Sequence, residues 1–200
     1  VEPVMRACSA TWNGRGVGPG LIVGGDFTAA GTFAVNHVGK WDGSNWATLG
    51  EGLDGGPLAL EVFDDGQGGG PALYAGGSFG GLGHVARWNG AAWTSVGSGP
   101  DATVWDLAVF DDGNGGGPAL YAVGDFTTAG VPGTQYIAKW NGVAWSTLSG
   151  TGMSGGWIIL GQENLWTDNL AVFDDGTGGG PALLVGGVFS SAGGAARALV

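Results

Sequence analysis

The sequence predicts an all-β fold built from repeats of a four-stranded antiparallel unit. One apolar-acidic-glycine phrase and one aromatic hairpin motif each recur three times, and 46 of the 200 residues are glycine. The phrase occupies residues 63–74, 110–121 and 173–184, a period of about 47 residues between the first two copies. A unit of this size cannot bury its apolar face alone, so successive units must stack.

Two apolar strands joined by an acidic, glycine-rich turn open each unit. In the third unit they are residues 106–110 and 118–126, and the segment between them is rich in Asp and Gly. Short apolar runs bounded by such turn residues are typical of paired strands.

An aromatic hairpin closes each complete unit. The pattern Trp-Asn/Asp-Gly-x-x-Trp is found at residues 41–46, 88–93 and 140–145, with Asn45 preceding the second Trp of the first copy. If the Asn-Gly pair is a two-residue loop, Trp88 faces Ala91 and Trp93 faces Ala86, with both indoles on one face. We expect these indoles to fill the gap between units, where each buries about 150 to 250 Å².

Alignment of the copies makes residues 1–200 a single repeat domain. Complete units lie at about residues 4–50, 58–98 and 104–149, and an incomplete fourth unit lies at 169–200. The fourth has no aromatic hairpin, because Ala198-Leu199-Val200 follows Arg197 where the other units have Trp, Asn or Asp, and Gly.

The Gly-Gly-Ser-Phe segment at residues 76–79 and the Ala-Arg-Trp-Asn-Gly segment at 86–90 resemble a blade of a kelch-type β-propeller. The resemblance is to galactose-oxidase-like repeats of fungal cell-cortex polarity markers and bacterial surface proteins, and it covers nearly the whole chain. It implies a propeller of four-stranded blades, with about three complete blades and a partial fourth. It implies no single function, because such propellers include oxidases, lectin-like binders and scaffolds.

The net charge and composition of the chain restrict the kinds of partner and the location that we expect for it. With 17 acidic and 6 basic residues, the chain should be repelled by nucleic acid and by anionic membrane surfaces. It has no apolar run of membrane-spanning length, so we expect no membrane insertion. The acidic, lysine-poor, Gly- and Trp-rich composition favours an extracellular or cell-surface location.

Cys8 is the one cysteine. We expect a buried, inert thiol, and the alternative is an intermolecular disulfide.

The acidic turns are a candidate calcium site, since paired carboxylates and glycine-exposed carbonyls suit a hard cation. The candidate ligands are Asp64, Asp65, Asp111, Asp112, Asp174 and Asp175. The alternative is ordinary turn chemistry, because Asp and Gly are common turn residues and EF-hand spacing is absent.

No catalytic pattern is evident in the sequence. His37 and His84 occupy one repeat position, which is Tyr136 in the third unit, and we expect polar residues entering a strand rather than metal ligands. No Ser-His-Asp order, Cys-His pair or phosphate-binding loop is found, so we expect a non-enzymatic protein.

The fourth unit suggests self-assembly. Its second strand, residues 182–188, is expected to be an open edge, which invites pairing with another chain. The candidate interface residues are Trp157, Ile158, Ile159, Leu160, Leu184, Val185, Leu199 and Val200. We therefore expect a structural protein that forms rings or filaments with copies of itself or with a chain completing the fourth blade. The alternatives are a carbohydrate-binding module with exposed indoles that contact glycans, and part of a longer propeller.

Overall fold

The computed structural model describes residues 7–14, 18–148, 158–160, 166–174, 176, 178 and 180–188. All regular elements of this part are β-strands. They form three four-stranded antiparallel sheets, one three-stranded sheet and one two-stranded ribbon. The all-β prediction is therefore confirmed.

Each four-stranded sheet is an antiparallel meander, and in the first sheet a two-stranded ribbon is inserted between the second and third strands. The first sheet contains β1 (Ala7–Trp12), β2 (Gly20–Gly25), β5 (Val38–Trp41) and β6 (Trp46–Thr48). The ribbon between β2 and β5 contains β3 (Ala29–Ala30) and β4 (Phe33–Ala34). The second sheet contains β7 (Pro57–Phe63), β8 (Ala72–Gly77), β9 (Val85–Trp88) and β10 (Trp93–Ser95). The third contains β11 (Val104–Phe110), β12 (Ala119–Gly124), β13 (Ile137–Trp140) and β14 (Trp145–Ser146).

The fourth sheet has a different topology. Its strands are β15 (Ile158–Leu160), β16 (Trp166–Phe173) and β17 (Ala182–Val188), in the spatial order β15-β17-β16. β16 and β17 are antiparallel, whereas β15 runs parallel to β17, with Ile158, Ile159 and Leu160 opposite Leu184, Val185 and Gly186.

The predicted open edge at residues 182–188 is therefore wrong for Leu184 to Gly186, which pair with β15 of the same chain. The strand that pairs with this edge, Ile158–Leu160, belongs to the long connection that follows the third sheet in the same chain. Val185, a predicted interface residue, is buried against the third sheet. Trp157, Leu199 and Val200 lie outside the described residues.

The aromatic hairpins have a wider loop than predicted. Trp88 pairs directly with Trp93, and residues 89–92 form a four-residue loop closed by the Asn89 amide and the Ala92 carbonyl at 3.1 Å. The prediction of a two-residue loop was wrong because the Asn89 side chain provides the hydrogen-bond acceptor for amides of the wider loop. Its Oδ1 accepts hydrogen bonds from the Ala91 and Ala92 amides, both at 2.9 Å, which is the Asx-turn preference of asparagine.

The same loop geometry recurs in the other two complete sheets. Asp42 accepts from the amides of Ser44 and Asn45 in the first sheet, and Asn141 accepts from those of Val143 and Ala144 in the third. The indoles at the two ends of each loop lie 5.5 to 5.6 Å apart between ring centroids.

The residue that enters the third strand of each complete sheet has a left-handed backbone. His37, His84 and Tyr136 have φ angles of 63°, 63° and 64°. In the second sheet the His84 carbonyl accepts from the Gly77 amide and the His84 amide donates to the Phe79 carbonyl. The first and third sheets have the same pair of bonds. The repeat position recognised in the sequence thus fixes a tight backbone corner, a conformation that non-glycine residues adopt infrequently.

Consecutive sheets contact each other through their first strands: β1 contacts β7, β7 contacts β11, and β11 contacts β16. One apolar cluster fills each of the three junctions. In the first, Trp12 and Ile22 pack with Leu73, Ala75 and Trp88 of the second sheet. Because β8 and β12 lie in the two sheets with neighbours on both sides, all six residues of each are buried.

Polar contacts also link the sheets. The Trp145 indole Nε1 donates to the Val96 carbonyl oxygen at 2.8 Å. The Leu170 amide donates to Asp106 Oδ2 at 2.7 Å, which joins β16 to β11.

Trp88→Ala should lower the free energy of unfolding by about 3 to 5 kcal/mol, because removal of a buried indole leaves a cavity between the first two sheets. Val143→Ala is the control, since that side chain is 68% exposed and its truncation should change stability by less than about 0.5 kcal/mol. Chemical denaturation measures both. A Trp88→Ala loss below about 1 kcal/mol would contradict the assignment of the paired indoles to the core.

Candidate functional site

The acidic turns use their first aspartate to close the turn. Asp64 Oδ1 accepts from the Gly66 amide at 3.1 Å, Asp111 Oδ1 from the Gly113 amide at 3.0 Å, and Asp174 Oδ1 from the Gly176 amide at 2.9 Å. This hydrogen bond two residues ahead is the Asx turn that favours aspartate before glycine.

The second aspartate binds a cationic side chain of its own sheet. Asp112 Oδ2 accepts from Lys139 Nζ at 2.5 Å and from the Tyr121 hydroxyl at 3.2 Å. Its Oδ1 accepts from the Asn114 amide. Both carboxylate oxygens are therefore in use.

The second sheet repeats this arrangement with an arginine. Asp65 Oδ2 lies 3.2 Å from Arg87 Nη2 and accepts from the Tyr74 hydroxyl at 3.4 Å. The fourth sheet has Leu184 opposite Ala171, where Tyr121 stands opposite Ala108 in the third sheet, so it lacks the tyrosine hydroxyl. Its second aspartate, Asp175, lies outside the described residues.

Burial and hydrogen bonding shift the pKa of Asp112 in opposite directions. Burial by itself raises the pKa of Asp112, but hydrogen bonds from Lys139 and Asn114 outweigh it and place the pKa below its ordinary value. Burial and then the charge of Asp65 raise the pKa of Tyr74 to about 12. Burial and then Asp112 raise the pKa of Tyr121 as well. The tyrosines therefore remain protonated hydrogen-bond donors at neutral pH.

In the second and third sheets a protein cation binds the second aspartate of the acidic turn, one of the carboxylates considered for calcium. Ca²⁺ would have to displace Arg87 or Lys139 from the second aspartate. Within the described ranges, no group of three or more His, Cys, Asp and Glu side chains is arranged to hold a metal ion. The two histidines lie against their own loops: His84 Nδ1 is 3.2 Å from the Gly77 carbonyl oxygen, and His37 Nδ1 is 3.4 Å from Asp26 Oδ1 without forming a hydrogen bond.

Two carboxylates on the first strands of the second and third sheets, Glu61 and Asp106, were not predicted as site residues from the sequence. Burial raises the pKa of both Glu61 and Asp106, and the charge of Asp106 raises that of Glu61 further. Glu61 pairs with Tyr74, and the corresponding residues of the other sheets are all alanine. The available signal was this single acidic residue within an apolar strand, Pro57–Phe63.

Cys8, which we expected to be buried and inert, is half-buried. Burial raises its pKa to about 12, and its sulfur lies 3.5 Å from the Pro57 carbonyl oxygen. A thiol with so high a pKa forms little of the reactive thiolate at neutral pH.

A cleft of about 160 Å³ lies between the first and second sheets. The described residues that line it are Trp12, residues 69–72 and residues 87–90. It is bounded by the end of β1, the glycine-rich turn before β8, and the aromatic hairpin of the second sheet.

Comparisons with protein-family models, with curated proteins and with solved structures found no match. In the part of the chain that the structure describes, no helix could span a membrane.

Asp112→Asn should lower the free energy of unfolding at pH 7 by about 1 to 3 kcal/mol, because Lys139 loses its charged partner. Since the folded-state pKa of Asp112 is depressed, its contribution is present above the unfolded value near 3.9 and is lost as pH falls through the lower folded value. Denaturation of both proteins from pH 7 to pH 2 measures this difference.

Asp111→Asn is the matched control, because asparagine can close the same turn and Asp111 is exposed. It should leave the acid profile of the parent unchanged. If the difference between parent and Asp112→Asn stays constant from pH 7 to pH 2, the ion pair does not supply the acid-sensitive stability.

Proposed function

We propose that the chain is a β-propeller repeat protein with kelch-like blades and a non-enzymatic, structural role, and that copies associate through the faces of their terminal sheets. Support comes from three meander sheets that follow one another along the chain and contact each other through their first strands. Blades around a propeller axis are arranged in this way. The composition favours a location outside the cell or at its surface.

The observation that carries the proposal is the exposure of one aromatic position. The aromatic residue at the end of the first strand is buried in three sheets, where Trp12, Phe63 and Phe110 are 4%, 2% and 5% exposed. Each is covered by the following sheet. The equivalent Phe173 of the fourth sheet is 54% exposed.

The opposite end of the described structure has the complementary feature. Leu73, Leu120 and Leu183 occupy one position on the second strand, and each is fully buried against the preceding sheet. The equivalent residue of the first sheet, Leu21, is 39% exposed. The two terminal faces therefore carry the two halves of the contact that closes each internal junction.

A second copy is the occupant that fits both faces. The first sheet of a second copy would cover Phe173 as the fourth sheet covers Phe110. Further repeats of the same kind would cover Phe173 in the same way. Contact between two different faces is heterologous, so it produces a ring where the rotation closes and a filament where it does not. We place the contact between copies on sheet faces and not on the edge of β17, because β15 of the same chain already pairs with part of that edge.

Carbohydrate binding on exposed indoles receives less support. Five described indoles are buried, and Trp41, Trp46 and Trp105 are half-buried. The buried ones are Trp12, Trp88, Trp93, Trp140 and Trp145. None of these eight presents a fully exposed ring for stacking against a sugar.

Phe173→Glu and Leu21→Glu should each block association, because each places a charge in one half of the contact. Val143→Glu is the control, with the same change of charge at an exposed hairpin position. Analytical ultracentrifugation over a range of concentrations should show oligomers for the parent and for the control. Each of the two face variants should remain monomeric.

A mixture of the two face variants tests the polarity of the contact. Each variant retains one intact face, so an equimolar mixture should form dimers and no larger species. A parent chain that remains monomeric at all concentrations would contradict the proposal. Larger assemblies in the mixture would show that association does not depend on these two faces.

A further inference from the structure

The chain contains four Asn-Gly pairs whose asparagines have different surroundings. The pairs begin at Asn13, Asn89, Asn114 and Asn141. An asparagine before glycine can lose its side-chain amide without an enzyme, because glycine has no Cβ to hinder the attack of its backbone nitrogen on the asparagine Cγ. The side chain and the following peptide must turn toward each other for this reaction. Its rate in a folded protein therefore depends on how firmly each turn is held.

The two hairpin asparagines are held by hydrogen bonds. Asn89 Oδ1 accepts from the Ala91 and Ala92 amides. Asn141 Oδ1 accepts from the two equivalent amides of its own loop. Each loop is also closed by a bond from the asparagine amide to the carbonyl of the last loop residue. The reaction has to break the side-chain bonds, so it requires a local opening of the hairpin.

Two of the glycines are also restricted by packing. A Cβ atom added to Gly142 would lie 2.2 Å from the Asp65 carbonyl oxygen, and one added to Gly14 would lie 1.9 Å from the Trp12 indole ring. A peptide in such close contact cannot rotate without moving its neighbour. The fourth pair, in the acidic turn of the third sheet, has neither restriction.

Asn114 and Gly115 lie in an open turn. Both residues are exposed, and a Cβ atom added to Gly115, Gly116 or Gly117 would meet nothing within 4 Å. The Asn114 amide donates to Asp112 Oδ1 at 3.1 Å. The side-chain Oδ1 of Asn114, in contrast, accepts no hydrogen bond from the described residues. Asn114 Cγ can therefore approach the Gly115 nitrogen without breaking a bond of this oxygen.

We propose that Asn114 is a site of spontaneous deamidation, which converts it to aspartate and isoaspartate while the protein remains folded. The Gly115 nitrogen loses its proton to hydroxide and attacks Asn114 Cγ. A new C–N bond forms, the Cγ–Nδ2 bond breaks, and the amide nitrogen takes up a proton and leaves as ammonia. Water then opens the resulting succinimide. Opening at Cγ gives aspartate, and opening at the backbone carbonyl gives isoaspartate, whose main chain contains an additional methylene.

The reaction changes the charge of the turn. Burial raises the pKa of Asp112, and hydrogen bonds from Lys139 and Asn114 lower it below its ordinary value. Deamidation replaces the neutral Asn114 amide with a carboxylate, which disfavours the ionised form of Asp112. The modification therefore acts on the carboxylate that binds Lys139 and Tyr121. It is independent of the assembly proposed above, because the third sheet is an internal one.

The repeats supply matched variants for a test. The residue equivalent to Asn114 in the second sheet is Gln67, whose amide donates to Asp65 Oδ1 in the same way. Gly68, which follows it, is as open as Gly115. Asn114→Gln should keep the turn and remove the reaction, because the longer side chain closes a larger and more slowly formed ring. Gln67→Asn makes the reverse exchange and should create a reactive site in the second sheet.

Peptide mapping by mass spectrometry measures deamidation at each asparagine during incubation of the folded protein at mildly alkaline pH. Electron-transfer fragmentation separates aspartate from isoaspartate. We expect Asn114 to react about tenfold or more faster than Asn89 and Asn141, since each hydrogen bond that must break adds to the barrier. Asn114→Gln should abolish the reaction in this turn. Gln67→Asn should react at position 67 about as fast as the parent reacts at Asn114.

The chain unfolded in guanidinium chloride is the control, and its four Asn-Gly pairs should react at similar rates. Three results would overturn the proposal. An Asn114 that stays intact in the folded protein but reacts in the unfolded chain would show that the turn protects it. Equal rates at Asn114, Asn89 and Asn141 in the folded protein would show that the hairpin bonds do not control the reaction. No reaction at position 67 in Gln67→Asn would show that an open turn is not sufficient. Thermal denaturation of each variant verifies that the fold is retained.

Discussion

The fold depends on the burial of one sheet's apolar face against the next sheet. Each complete sheet has an aromatic residue at the end of its first strand and a leucine at the start of its second strand, and these two positions face opposite neighbours. A single sheet therefore cannot satisfy both faces. This dependence on nearest neighbours is typical of repeat proteins, and it explains why the same position is buried in Phe110 and exposed in Phe173.

The polar features of the repeat support this stacking. The acidic turn fixes the end of the first strand, while its second aspartate binds the lysine or arginine of the third strand and the tyrosine of the second. One carboxylate thereby joins three strands of a sheet. In the Asn-Gly hairpins the asparagine side chain accepts hydrogen bonds from the loop amides, and the paired indoles at the ends of the loop pack together. Differences between sheets at these positions are therefore the places to look for function.

The sequence predicted the repeat, the all-β class and the burial of most indoles, because apolar periodicity and turn residues act locally. It mispredicted the hairpin register, since the number of loop residues depends on which amides the Asn89 side chain accepts. It also mispredicted the edge of β17, because the pairing with Ile158–Leu160 is a long-range contact that no local pattern encodes. The acidic turns were recognised as a site, but the partners Arg87 and Lys139 stand far from them in the sequence. The cleft depends on three segments brought together only by folding.

Native-state hydrogen exchange of the Phe173→Glu variant, which should be monomeric, tests the stacking account most directly. Amides of β8 and β12 belong to sheets covered on both faces, so they should exchange only through global unfolding and have the highest protection. Amides of β2, in a sheet covered on one face, should exchange through smaller openings and have measurably lower protection. Equal protection of β2, β8 and β12 would contradict the account, because it would mean that burial against a neighbouring sheet does not determine the stability of each repeat.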